Sequence, residues 1–327
     1  MRSLRSYLVL FLLKHRHWFR LQLKRETIDW NTSIPALREK TERSAARLGK
    51  VPAGIEVAAA SIPGLAAEWL RPSMSTRERA MLYFHGGGYV MGSAQSHRGV
   101  VAKFVVGSDI DALLFDYRLA PEHPFPAALD DSLTAYRWLL AQGFAPEQIV
   151  FAGDSAGAGL CLATLLAACD NGLPLPAAAA VLSPWTDLKC TGSSYSRKDP
   201  LAPEGSWLVY STYYAGGHDL SDPLISPLYG ELAGLPPLLI YVGEDESMLD
   251  DSVRFAEKAR AAGVDVRLHV GPGMVHCYPA LAPLFPEATA ALDDICAFLA
   301  AAVRRSGTIG VVRDTTPPAI EPTETAA

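Results

Sequence analysis

The sequence predicts an α/β fold in which a mostly parallel central sheet is covered by helices on both faces. Short apolar runs alternate with helix-like stretches from residue 56 to residue 245, and a parallel sheet with crossover helices requires this order. The chain has 327 residues, 49% of them hydrophobic. This length and composition suffice for one globular domain with a full core.

The individual elements follow from local patterns. Apolar runs predict strands at 56–60, 66–70, 80–84, 112–115, 149–152, 177–182, 238–242 and 264–270. Helices are predicted at 96–106, 127–142, 156–168, 252–262 and 288–303. Residues 189–227 break the alternation and are rich in aromatic side chains, which predicts an insertion over a site on the sheet.

A serine lies between glycines directly after the strand predicted at 149–152, in the sequence Gly153-Asp154-Ser155-Ala156-Gly157. Strand, five-residue turn and helix in this order describe a nucleophile elbow, which exposes the serine hydroxyl at a tight turn. The free N–H groups at the start of the following helix can face a developing oxyanion. The pattern therefore predicts Ser155 as a nucleophile.

A second glycine motif follows the strand predicted at 80–84, with the sequence His85-Gly86-Gly87-Gly88. Consecutive glycines leave backbone N–H groups accessible to a substrate. An elbow serine needs such a loop, because its oxyanion hole combines the N–H after the serine with N–H groups from an earlier loop. His85 is interpreted as a residue that fixes this loop.

The base is sought among the histidines that follow Ser155, because the chain order on such a sheet is serine, acid, histidine. These are His218, His269 and His276. His269 lies on the polar face of an alternating strand, and no strand leads into His218. His276 comes in the loop after the last predicted strand, where catalytic residues are commonly found, and is the predicted base.

The acid is sought at the end of the strand predicted at 238–242, where Glu244, Asp245 and Glu246 follow one another. Asp245 is the predicted acid. Glu244 and Glu246 stay open as alternatives, because the sequence does not fix which of three neighbours points inward. Asp250 and Asp251 are interpreted as N-caps of the next helix.

Taken together, the motifs resemble the bacterial hormone-sensitive-lipase-like carboxylesterases of the α/β-hydrolase fold. The resemblance covers about residues 50–303 and rests on segments 85–88, 116–131, 153–157, 183–188, 245–251 and 273–276. It implies a triad of Ser155, Asp245 and His276 under a helical cap, with an oxyanion hole formed by the N–H groups of Gly87, Gly88 and Ala156. The chain departs from the family at Ala158, where a glycine is usual.

The resemblance implies hydrolysis of small carboxylic esters, of short to medium acyl chain, through an acyl-enzyme and without a metal or organic cofactor. A lactone hydrolase using the same triad is the alternative among enzymes. A non-catalytic small-molecule receptor on the same fold is a distant alternative, which His276 disfavours. Homodimerisation through an edge strand stays open.

Composition narrows the partners and the compartment. A net charge of −6 gives no reason to expect a nucleic-acid partner. The five cysteines, at 161, 169, 190, 277 and 296, have no metal-type spacing. An odd, scattered set predicts packing roles in a reducing, cytoplasmic compartment.

The N-terminus predicts an amphipathic helix, with apolar side chains at helical spacing: Leu4, Tyr7, Leu8, Phe11, Leu12, Trp18 and Phe19. Its uninterrupted apolar run covers only residues 7–13, against the roughly 20 residues that span a bilayer. A cap over the mouth of the site is the preferred interpretation. The alternative is a helix on a membrane surface, attracted through Arg2, Arg5, Lys14, Arg16 and Arg20.

The predicted organisation is thus an N-terminal helical cap segment over 1–50, an α/β-hydrolase catalytic domain over 51–305 and a disordered tail over 306–327. The catalytic domain carries a cap insertion around 189–227.

Overall fold

One eight-stranded sheet forms the centre of the computed structural model, which describes residues 2–15, 27–48, 50–196 and 199–306. The strands are β1 (Ile55–Ile62), β2 (Leu65–Pro72), β3 (Ala80–Phe84), β4 (Asp111–Phe115), β5 (Ile149–Asp154), β6 (Ala178–Leu182), β7 (Leu238–Gly243) and β8 (Val266–Gly271). They lie in the order β1-β2-β4-β3-β5-β6-β7-β8. β2 pairs antiparallel with β1 and β4, and all the other pairs are parallel. The predicted fold class is confirmed, and each predicted strand has its counterpart.

Eight α-helices accompany the sheet within the described residues. They are α1 (Leu4–Lys14), α2 (Ile34–Leu48), α3 (Ala94–Ser108), α4 (Ala127–Ala141), α5 (Ser155–Asp170), α6 (Ser206–Ala215), α7 (Leu249–Ala261) and α8 (Pro286–Ser306). The five helices predicted for the main domain correspond to α3, α4, α5, α7 and α8. α6, within the insertion, has no predicted counterpart.

The central strands build a core on each face of the sheet because successive side chains point to opposite faces. In β3, Leu82 and Phe84 belong to one buried cluster, whereas Met81 and Tyr83 belong to the other. Side chains of α4, α5 and α7 complete the first cluster, and those of α3 and α8 complete the second. Burial on both faces explains why β3 to β7 read as apolar runs without alternation.

The start of α7 differs from the sequence-based interpretation, because Asp250 and Asp251 are not its N-caps. The helix begins at Leu249. The buried Asp251 carboxylate instead accepts hydrogen bonds from the N–H groups of Thr186 (2.9 Å) and Asp187 (2.8 Å). These distant backbone donors would otherwise be buried without a partner, so Asp251 joins α7 to the segment that leaves β6.

The insertion predicted over 189–227 lies between β6 and β7 and contains α6. The N-terminal segment contacts it. The N–H of Ile28 donates to the carbonyl of Glu204 at 2.8 Å, and the Trp30 ring lies edge-on to Tyr213 with 5.7 Å between centroids. The N-terminal segment and the insertion therefore pack on each other.

Helix α1 lies at the loops that follow β7 and β8. Lys14 forms an ion pair with Asp245 at 2.6 Å, and the Arg2 guanidinium donates to the carbonyl of Gly273 at 3.1 Å. The Ser3 hydroxyl donates to Glu287 at the start of α8 at 2.9 Å. These contacts dock α1 at the carboxyl edge of the sheet.

Some predictions about the two ends of the chain lie outside the described residues. They concern Arg16, Trp18, Phe19 and Arg20, and the tail beyond Ser306, which is the last residue of α8. Within the described ranges, no helix combines the length and apolar character that crossing a membrane takes.

Candidate active site

Ser155 sits at a strained turn between β5 and α5. Its φ of 56° lies in the left-handed region, which costs a non-glycine residue about 1–3 kcal/mol. A Cβ on Gly157 would lie 2.2 Å from the carbonyl oxygen of Phe84 and 2.3 Å from that of His85. The first turn of α5 therefore lies against the glycine loop, and only a glycine allows this approach.

The glycine loop that follows β3 is equally constrained. A Cβ on Gly87 would lie 2.1 Å from the carbonyl oxygen of Met91. His85 stacks on Tyr117 with 4.1 Å between ring centroids, and the Tyr117 hydroxyl donates to the His85 carbonyl at 2.7 Å. Burial lowers the pKa of His85 to about 3, so this histidine is neutral and serves to fix the loop.

Asp154, directly before the serine, joins the elbow to the glycine loop. Its carboxylate, which is 14% exposed, accepts hydrogen bonds from the N–H of Gly86 (3.1 Å) and the hydroxyl of Tyr83 (3.0 Å). His97 of α3 places Nε2 3.7 Å from the other carboxylate oxygen. Burial would raise the pKa of Asp154, but the neighbouring His97 outweighs it and the pKa is lowered.

His97 responds in the opposite sense. Burial would lower its pKa, but Asp154 outweighs burial and the pKa of His97 is raised. The two groups thus form a partly buried ion pair behind the glycine loop.

Glu246, and not the predicted Asp245, is the carboxylate at His276. One Glu246 oxygen lies 2.6 Å from Nδ1 of His276, and the other accepts hydrogen bonds from the Ser183 hydroxyl at 2.7 Å and the Gly243 N–H at 2.5 Å. The Glu246 side chain is fully buried. The choice of Asp245 is corrected to the alternative that the sequence left open.

The other two carboxylates leave the strand end in different directions. Asp245 is 41% exposed and pairs with Lys14, while Glu244 accepts a hydrogen bond from the N–H of Gly273 at 2.7 Å. Because the chain turns immediately after β7, three consecutive side chains point to three different partners. Of these three side chains, only that of Glu246 points into the protein and contacts His276.

The pKa of His276 is raised well above its ordinary value. Burial acts against protonation of the ring, while the adjacent Cys277 and Glu246 favour it. Burial also raises the pKa of the Cys277 thiol, which keeps that thiol neutral. The Glu246 carboxylate is therefore the charge that favours the imidazolium form.

Ser183 connects three strand ends, a role that the sequence did not reveal. It follows β6, donates to Glu246 beyond β7 and accepts the Cys277 N–H beyond β8 at 2.9 Å. Two residues later, the Trp185 N–H donates to the carbonyl of Ser155 at 3.2 Å. Ser155, Glu246 and His276 follow β5, β7 and β8, and Ser183 follows β6, which lies between β5 and β7 in the sheet. The only sequence signal for Ser183 was its place in the family-like segment 183–188.

Aromatic side chains cover this edge. Trp207 of α6 lies edge-on to His276 with 6.2 Å between centroids, and it also contacts Trp185 at 5.2 Å. Tyr210, one turn further along α6, packs so closely on Gly88 that a Cβ there would lie 2.5 Å from its ring. The insertion thus reaches both the histidine and the glycine loop.

Comparisons with known proteins agree with this geometry. A family model described as the alpha/beta hydrolase fold matches residues 81–280. An acetyl-hydrolase from Streptomyces hygroscopicus is 40% identical over 289 residues, which cover 85% of this chain and 95% of that protein. An esterase from Acinetobacter venetianus is 34% identical over 248 residues, which cover 75% of this chain and 82% of that protein.

The solved structures lead to the same family. An esterase from the bacterial hormone-sensitive lipase family is 36% identical, with a TM-score of 0.83 over 93% of this chain and 99% of that chain. The relatives imply small-molecule ester substrates. The chain belongs to the α/β-hydrolase fold family and is a hormone-sensitive-lipase-like carboxylesterase, a hydrolase of carboxylic esters.

Proposed function

We propose that this hydrolase cleaves small esters of short acyl chain through an acyl-enzyme on Ser155, with His276 as base and Glu246 as its carboxylate partner. The observation that carries the proposal is the 2.6 Å contact between Nδ1 of His276 and the fully buried Glu246. A serine nucleophile needs an imidazole held in one orientation by such a carboxylate.

The chemistry runs in two halves. Ser155 Oγ attacks the acyl carbonyl while its proton passes to Nε2 of His276, and Glu246 stabilises the resulting imidazolium. The N–H groups of Gly87, Gly88 and Ala156 bind the oxyanion, each contributing about 3–4 kcal/mol. The imidazolium then protonates the leaving alcohol. Water then attacks the acyl group while His276 takes its proton, and the imidazolium returns that proton to Ser155 Oγ as the carboxylic acid leaves.

The glycine loop must be rigid for this chemistry, because hydrogen-bond donors stabilise the transition state only when they are already in position. Asp154 supplies this rigidity, since it accepts a hydrogen bond from the Gly86 N–H and is itself paired with His97. The same carboxylate lies directly before the nucleophile. The Asp154 carboxylate therefore holds the glycine loop in place relative to Ser155.

The acyl-length limit rests on the aromatic side chains of the insertion. Trp207 lies against His276, and Tyr210 packs on Gly88. The Trp207 ring therefore lies next to His276 and the Tyr210 ring next to Gly88, which leaves little room for a long acyl chain. This crowding favours acetyl-sized to butyryl-sized groups.

The acyl-enzyme is tested with p-nitrophenyl acetate and intact-protein mass spectrometry after an acid quench. We expect wild-type protein to gain one acetyl group and show a burst of p-nitrophenol, because an activated aryl ester acylates the serine faster than water hydrolyses the acyl-enzyme. Ser155→Ala should lose nearly all turnover and gain no acetyl group. An acetyl group on Ser155→Ala, or turnover close to wild type, would contradict the assignment of the nucleophile.

The carboxylate is tested by three matched amide variants. Glu246→Gln should lower kcat by about 10⁴-fold, because an amide stabilises the wrong tautomer of the histidine. Asp245→Asn should keep kcat within about fivefold, since an exposed ion pair is worth about 1 kcal/mol or less. Steady-state kinetics decide, with thermal melts to check folding. A severe loss in Asp245→Asn or Glu244→Gln, with Glu246→Gln active, would reverse the assignment.

The pH dependence tests the charge on His276. The base must be neutral, so wild-type kcat/KM should fall as pH drops through a pKa raised above the usual histidine value. In Glu246→Gln the residual activity should persist to lower pH, because the charge that favours the imidazolium is gone. Asp245→Asn should keep the wild-type profile. Identical acid limbs in wild type and Glu246→Gln would show that Glu246 does not set this pKa.

The aromatic wall is tested by Trp207→Ala, with Leu208→Ala as the control from the next position of α6, where Leu208 is 64% exposed. Opening the wall should raise the ratio of kcat/KM for octanoyl over acetyl esters by about tenfold or more. Leu208→Ala should leave the ratio unchanged. Equal ratios in wild type and Trp207→Ala would place the acyl group elsewhere.

A further inference from the structure

Helix α1 carries apolar side chains on both of its sides. Leu10 is buried, and Val9 and Leu13 pack beside it against the core shared by α3 and α8. A helix that is apolar all round is normally buried all round, yet one side of α1 faces outward. The inward side chains explain why the uninterrupted apolar run at residues 7–13 covers more than one side of the helix.

The outward side forms a continuous band, which we name the outer stripe. It consists of five side chains at spacings of three and four residues, each at least 42% exposed: Leu4, Tyr7, Leu8, Phe11 and Leu12. Among the described residues, these are five of the twelve large hydrophobic side chains that are exposed. Single exposed apolar residues are ordinary, but a concentration on one helix marks an interaction surface.

The charge of the N-terminal sequence that contains α1 indicates the partner. Residues 1–25 contain seven Lys and Arg and no Asp or Glu, in a chain whose net charge is −6. Two copies meeting through this helix would bring two basic segments together, which is electrostatically unfavourable. An anionic lipid surface offers both an apolar layer for the stripe and negative headgroups for the cations.

We propose that α1 lies flat on an anionic membrane surface, with the outer stripe in the boundary between headgroups and acyl chains. Eleven residues extend about 16 Å, which suits a helix in the plane of the membrane. The inner side stays on the protein through Leu10, the Lys14–Asp245 ion pair and the Arg2 hydrogen bond to Gly273. Because Asp245 and Gly273 lie in the loops after β7 and β8, the carboxyl edge of the sheet is held beside the membrane.

The test is co-sedimentation of the full chain with large vesicles of phosphatidylcholine alone or with about one-third phosphatidylglycerol, a composition that supplies the anionic surface. The stripe variant is Leu8→Ser with Leu12→Ser. The matched control is Met74→Ser with Val106→Ser, two side chains that are 92% and 62% exposed away from α1. A third variant, Arg5→Gln, removes one exposed cation beside the stripe.

We expect wild-type protein and the control variant to bind the phosphatidylglycerol vesicles. The affinity of the stripe variant for these vesicles should be lower by about tenfold or more. Arg5→Gln and added salt should also weaken binding, because screening reduces the electrostatic attraction. All variants should keep wild-type hydrolysis of p-nitrophenyl acetate without vesicles. That readout shows that they are folded, and it reports on the proposed esterase function independently of membrane binding.

Three results would overturn the proposal. The first is wild-type protein that stays in the supernatant with phosphatidylglycerol vesicles. The second is equal binding to both vesicle types. The third is a wild-type dimer, measured by light scattering, that the stripe variant converts to a monomer while vesicle binding is unchanged. That third result would assign the outer stripe to a second copy of this chain.

Discussion

The buried carboxylate of Glu246 constrains the whole carboxyl edge of the sheet. It is fully buried and has a partner for each oxygen, with His276 on one side and Ser183 and Gly243 on the other. Removing one partner of such a group costs about 3–5 kcal/mol, because a charge is left uncompensated. The ends of β6, β7 and β8 must therefore keep their relative positions, and the imidazole is oriented before any substrate arrives.

Asp154 plays the corresponding part on the other side of Ser155. It too is a carboxylate held by a histidine, here His97, and by the backbone N–H of Gly86, although it is only partly buried. One carboxylate thus orients His276 and the other positions the glycine loop, with the strained Ser155 between them. This arrangement accounts for the glycines at 86 and 157, where a Cβ would collide with Asp154 and with the carbonyl oxygens of Phe84 and His85.

The sequence predicted what local patterns encode and missed what depends on contacts between distant segments. The eight strands were predictable because each is a short apolar run, and Ser155 and His276 could be proposed as site residues because each lies in a distinctive turn. The choice among Glu244, Asp245 and Glu246 was wrong, since it depends on where a turn meets Lys14, Gly273 and His276. Helix α6 was missed for another reason. Its sequence, SWLVYSTYYA, is rich in β-branched and aromatic residues, which favour strands, and tertiary packing overrides that preference.

The docking of α1 follows from the same correction. Asp245 is free to pair with Lys14 because it is not occupied by His276, so the residue first expected in the triad instead fastens the N-terminal helix. An exposed ion pair of this kind contributes at most about 1 kcal/mol, and Leu10 therefore supplies most of the attachment by burial. The inner side of α1 is thus held by the protein, while each side chain of the outer stripe is at least 42% exposed. A helix that is apolar on two sides can in this way pack on the protein core with one side and contact a membrane surface with the other.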